Sequence, residues 1–149
     1  MAGLQTFYKI KDLHEREKKE KQKDYQHHVE VFEDRATRLC EALKQKESAE
    51  EQFQSQLSTK SIQAMTFIQH QHYIDRLEQK INELQPEVQK ARTEMQVSQQ
   101  KLTDAHIQVK KYEKLIENKL ENEKFERKQE ENKQMDELSM NQYLNSKNR

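Results

Sequence analysis

Turn-forming residues are almost missing from this chain of 149 residues, which holds one glycine, Gly3, and one proline, Pro86. A β-sandwich or a βαβ fold needs many tight turns, so both are excluded. Hydrophobic residues make up 32%, well under the roughly 45–50% of a globular domain, so a thick core is out of reach. There is no tryptophan and a single cysteine, Cys40, which rules out an internal disulfide and fits a reducing cytosol. Cys40 lies beside Leu39 at the edge of a heptad, where a small packed thiol is expected. Charge of neither sign dominates: 27 Lys and Arg balance 27 Asp and Glu, which offers no general attraction to nucleic acid or anionic lipid. No run of about 18 apolar residues exists to span a membrane. Met1 to Lys11 has no apolar signal core either.

What the chain does have is period. Tyr25, Val29, Phe32, Ala36, Leu39, Leu43, Lys46, Glu50, Phe53 and Leu57 advance by alternating steps of four and three. A longer ladder runs through Ile74, Leu77, Ile81, Leu84, Val88, Ala91, Met95, Ser98, Leu102, Ala105, Val109, Tyr112 and Ile116. A mean step of about 3.5 residues is the seam of a left-handed coiled coil. Unbroken ladders also argue against the disorder that such polarity would otherwise suggest. Near the start, Phe7, Ile10 and Leu13 form an apolar stripe, and the ladder positions between His14 and Asp24 hold charges. That stretch is expected to be helical but loosely paired.

Ser58-Thr59-Lys60-Ser61 is the polar break between the ladders, with Ser61 a candidate N-cap. The predicted architecture is all-α. It is a single antiparallel two-helix coiled-coil hairpin over 1–149, with helix 1 at about 4–57, a turn at about 58–61 and helix 2 at about 62–138. A frayed tail follows at 139–149. Pro86 falls inside helix 2, yet Leu84 and Val88 keep phase across it, so the helix is expected to continue. A turn near residue 59 pairs residue i with about 119 − i and sets Leu4 near Leu115. The paired length would be roughly 80 Å at 1.5 Å per residue. Beyond Ile116 hangs a charged helical overhang.

Chemistry finds little footing. His70 and His72 lie about 200° apart round a helix and cannot share a metal, and the adjacent His27 and His28 fail likewise. One glycine cannot build a phosphate loop. The reading is therefore non-enzymatic, with no catalytic, cofactor-binding or metal residues. The mixed stretch Lys9–Lys23 reads as a solvated face or a basic partner site. Phe67, Tyr73, Leu77 and Leu84 suggest a docking surface, with Tyr73 beside the seam position Ile74; a wide seam that wraps Tyr73 inward is the competing reading.

Three segments carry a resemblance. Phe7-Tyr8-Lys9-Ile10-Lys11-Asp12-Leu13, Gln71-His72-Tyr73-Ile74-Asp75-Arg76-Leu77-Glu78, and Val109-Lys110-Lys111-Tyr112-Glu113-Lys114 with the later Met135-Asp136-Glu137 resemble the flagellar export protein FliJ family in order and spacing. The resemblance implies a cytoplasmic coiled-coil stalk, peripherally associated with the inner face of the cell membrane. Such a stalk enters the hexameric flagellar export ATPase, promotes its assembly and activity, and contacts the cytoplasmic domain of the export gate and export chaperones. It implies a gate-facing surface of Phe53, Tyr73, Leu77 and Leu84, with Lys80 where the family pattern suggests a small residue. For the ATPase pore it implies Phe7, Arg16, Tyr112, Lys114 and Lys124. No nucleic-acid partner and no membrane insertion are expected. The stalk of a virulence type III secretion system and a homodimeric coiled-coil scaffold are the alternatives.

Overall fold

The structure, a computed structural model, describes residues 2–59 and 63–148. Two α-helices account for nearly all of them: α1, Ala2–Thr59, and α2, Ala64–Lys147. They pack against each other as an all-α helical hairpin, with no strand among the described residues. Ser61 and the expected start at Ile62 lie outside the described residues.

Both helices outrun their expected ends for local reasons. Ser58 Oγ donates a hydrogen bond to the carbonyl of Ser55 (3.0 Å), so the hydroxyl is satisfied inside the helix and α1 continues to Thr59. Between Ser139 and Lys147 there is neither glycine nor proline to stop the ladder, and Lys147 favours the negative end of the helix dipole. The expected tail at 139–149 is thus helical as far as Lys147. Pro86 sits within α2, which continues through it as the phase argument requires. Pro86 and Asn82 are both exposed, so the carbonyl that loses its partner is open to hydration.

The chain groups into two compact units, residues 19–103 and residues 1–18 with 104–149. In the first, Ala42, Ile81 and Leu84 form a buried cluster with Leu39 packed on it, and Ala49, Ile74 and Leu77 form another. In the second, Val109 and Ile116 are buried. Every member of the α2 ladder from Ile74 to Ile116 is buried or half-buried.

The α1 ladder is corrected. Leu43 is 45% exposed and Leu57 50%, and Glu50 is exposed too, whereas Ala42 and Ala49 are 1% and 6% exposed. The packed face steps through Leu39, Ala42, Lys46, Ala49 and Phe53. Small side chains fit there because α2 presents Ile74, Leu77, Ile81 and Leu84 opposite; a leucine in those places would overfill the layer. Leu13 is likewise exposed (53%) and half-buried His14 takes the inner position. The thiol of Cys40, expected to be packed, is exposed.

The register also moves. Facing partners such as Arg35 and Glu87, or Lys46 and Glu78, have residue numbers summing to 122 and 124, not 119. The cause is that α1 runs to Thr59 and α2 starts at Ala64, so the helices meet about two residues later than the expected 58–61. The shift is about one helical turn.

Ser98 is 3% exposed and its hydroxyl has no hydrogen-bond partner among the described residues. An unsatisfied buried hydroxyl costs about 1–3 kcal/mol. Ser98→Ala should therefore raise unfolding free energy by about 1 kcal/mol in urea titrations. Ala42→Leu should cost about 1–3 kcal/mol by overpacking, while Leu43→Ala should change stability by less than about 1 kcal/mol. The opposite ranking of those two variants would return Leu43 to the seam.

Candidate partner-binding surfaces

The residues singled out for the ATPase ring all fall in the unit made of 1–18 and 104–149. Phe7 and Tyr112 face each other across the two helices, with ring centroids 6.4 Å apart. Sequence reasoning did not reach two neighbours that complete the cluster. The His14 ring stacks on Tyr112 at 5.1 Å, and Lys119 Nζ lies 4.8 Å from the centre of the Phe7 ring. The signal for them was the ladder itself, which from Ile10 reaches His14 by a step of four and from Ile116 reaches Lys119 by a step of three. A cation over an aromatic face is worth about 0.5–1 kcal/mol where partly exposed. Phe7 and Tyr112 are thus half-buried and hold α1 to α2, while Arg16, Lys114 and Lys124 are exposed and available to a partner.

Further along α2, residues 124–148 are exposed throughout. Large apolar side chains are among them: Phe125 (62%), Met135 (67%), Leu138 (57%), Met140 (66%), Tyr143 (65%) and Leu144 (49%). Met140, Tyr143 and Leu144 stand three and four apart and share one face. Between these apolar groups the helix is dense in Glu, Lys and Arg.

The residues singled out for the export gate lie in the 19–103 unit, and they do not form one exposed surface. Leu77 and Leu84 are 6% and 8% exposed and belong to the helix–helix core. Phe53 is half-buried, its ring 5.2 Å from Phe67 and 5.4 Å from His70. Tyr73 is 42% exposed, with the Arg76 guanidinium 5.9 Å from its ring centre, so the seam does not wrap it inward. Gln69, Arg76 and Lys80 are exposed and lie at helical spacing from Tyr73. The face round Tyr73 is therefore an aromatic ring with the Arg76 guanidinium beside it and Lys80 about two turns further along the helix. Near it in sequence, Met65 (67%), Phe67 (44%) and Ile68 (48%) add exposed apolar area.

Neither helix is long and apolar enough to cross a membrane, among the described residues. No group of three or more His, Cys, Asp or Glu side chains that could hold a metal occurs among them.

Comparison with known proteins fits these features. The family described as "Flagellar FliJ protein" matches residues 4–148. The Flagellar FliJ protein of Bacillus subtilis (strain 168) is 34% identical over 145 residues, which is 97% of this chain and 97% of that protein. Among solved structures, none matches. A match over nearly the whole length, on a chain that folds as two packed helices, places it in a family: the chain belongs to the flagellar FliJ proteins and is a flagellar export component.

Proposed function

We propose that this chain is the non-catalytic stalk of the flagellar export ATPase complex. The observation that carries the reading is the run 124–148, exposed over its whole length and bearing Phe125, Met135, Leu138, Met140, Tyr143 and Leu144. A helix that leaves large apolar groups in water gains free energy when a partner covers them. In this reading the partner is the hexameric ATPase ring, met by this run together with Arg16, Lys114 and Lys124. Phe7 and Tyr112 act from behind by fixing the two helices to each other. Unequal contacts with successive ring subunits would shift their nucleotide states relative to one another, which is all that stimulation of assembly and activity requires. The stalk itself performs no chemistry.

The same reading assigns the Phe53, Tyr73, Leu77 and Leu84 stripe to the cytoplasmic domain of the export gate. Tyr73 supplies the contact, Phe53 borders it, and the two leucines hold the helix that presents it. Export chaperones are further partners. The chain acts in the cytoplasm, peripheral to the inner face of the cell membrane.

The cut that tests the ring contact belongs after Glu123, because Lys119 still touches Phe7. The intact chain should stimulate its cognate ATPase under ring-forming conditions. The shortened chain should keep its helical circular dichroism up to residue 123 and stimulate at least about tenfold less, as expected when about 1.4 kcal/mol of differential contact is removed. Equal stimulation by both would remove the run from the mechanism. For the gate, Tyr73→Ala should weaken binding to the gate's cytoplasmic domain by about 2 kcal/mol, the scale of an aromatic hot spot, in calorimetric titration. Its Tm should stay within a few degrees of the parent's, since the ring is exposed.

A further inference from the structure

Lys46 stands where the packed face of α1 calls for an apolar residue. It lies between Ala42 and Ala49, its side chain is 29% exposed, and its Nζ is 3.2 Å from Glu78 of α2 and 3.8 Å from Glu50 of α1. The methylene stem lies along the seam while the ammonium reaches its edge. Two further contacts between the helices have the same polarity, cation on α1 and carboxylate on α2: Arg35 with Glu87 (3.9 Å) and His28, which is charged only when protonated, with Glu94 (4.0 Å).

The apolar seam by itself does not fix which turn of α1 meets which turn of α2. Along α2, Ile74, Ile81 and Val88 repeat every seven residues, as do Leu77, Leu84 and Ala91. A slip of one heptad therefore replaces each buried contact with a similar one. It also moves the turn only about three or four residues, through a stretch with no glycine or proline to pin it. The charges do distinguish the registers. Slipped one heptad toward the C-terminus of α2, Lys46 meets Gln85 and His28 meets Lys101, while Arg35 meets Glu94. Slipped the other way, Lys46 meets Gln71 and Arg35 meets Lys80, a repulsive pair, while His28 meets Glu87. Only in the register observed do all three side chains face a carboxylate of α2, and Lys46 alone loses its α2 carboxylate in both slips; Arg35 and His28 also pair with Asp34 (2.8 Å) and Asp24 (3.6 Å) of α1, whatever the register.

We propose that the Lys46–Glu78 pair, supported by Arg35–Glu87, is the register key of the hairpin. A polar residue at a seam position lowers stability and raises specificity, which is the best-attested role for a partly buried ion pair. The key matters because a slip would carry every exposed residue of α2 to a different level against α1.

Equilibrium disulfide trapping reads the register directly. In a Cys40→Ser background, Ala42→Cys with Ile81→Cys reports the observed register. Ala42→Cys with Val88→Cys, or with Ile74→Cys, reports the two slips. A heptad is about 10 Å of helix, so only a pair at the same level can close. In a glutathione buffer, with monomers separated by mass, the parent should close 42–81 alone. Lys46→Met and Glu78→Gln should each raise closure of a slipped pair several-fold, with Lys46→Met melting higher than the parent. Lys46→Glu with Glu78→Lys should return closure to 42–81. If Lys46→Met and Glu78→Gln both leave the slipped pairs at the parent's level, the register is set elsewhere and the proposal falls.

Discussion

Everything in this fold hangs on one strip of α2, the apolar ladder from Ile74 to Ile116, and on its need for cover. A chain with 32% hydrophobic residues cannot surround that strip with a core. It can lay one other helix along it. Each Ile or Leu so buried contributes about 1.5–3 kcal/mol against leaving it in water. The covering helix brings small residues where the ladder is bulky: Ala42 against Ile81 and Leu84, and Ala49 against Ile74 and Leu77. Bulk is supplied by one side and space by the other. Complementary sizes let two helices close on each other without a third layer to seal them.

That division of labour decides what could be read from the sequence. The α2 ladder was legible throughout because every member but Ser98 is apolar or aromatic and the spacing never slips. On α1 the ladder was legible at Tyr25, Val29, Phe32, Ala36, Leu39, Lys46 and Phe53, which are half-buried, but not at Leu43, Glu50 and Leu57, which are exposed. Leu43 outranks Ala42 on any hydrophobicity scale, yet the buried site takes the smaller residue because the opposing helix already fills the layer. His14 displaces Leu13 in the same fashion, since a ring can stack on Tyr112 from that position. The register was missed by about one turn for a different reason. Ser58 and Thr59 read as helix breakers, but the Ser58 hydroxyl is satisfied inside the helix, so the connection falls later in the chain. Local propensity is a weak guide where a side chain can find its partner within its own helix.

The candidate surfaces were legible only in part, again for reasons of phase. Residues carried over by resemblance mix two jobs. Tyr73 is one position off the seam and faces outward, while Leu77 and Leu84 lie on the seam and face inward. On a helix pair no side chain serves both faces, because positions three or four apart share a side and adjacent positions do not. The exposed residues at helical spacing from Tyr73 are thus Gln69, Arg76 and Lys80, of which the sequence reading had singled out Lys80 alone. Likewise Phe7 and Tyr112 are spent on each other, on His14 and on Lys119, whereas Arg16, Lys114 and Lys124 are exposed.

The polar members of the seam then take on a common meaning. Ser98 forgoes a hydrogen bond, Lys46 carries a charge to the edge of a packed layer, and His14 occupies a place where leucine was at hand one residue away. A seam of uniform leucine and isoleucine would be more stable and less particular, since heptads that look alike can exchange places. Where binding residues are set by their level along a helix, as the proposed function has it, a slipped register is as damaging as unfolding. The chain gives up stability at Lys46 and retains a single alignment of α1 on α2, and that alignment gives Tyr73 and its neighbours a fixed address.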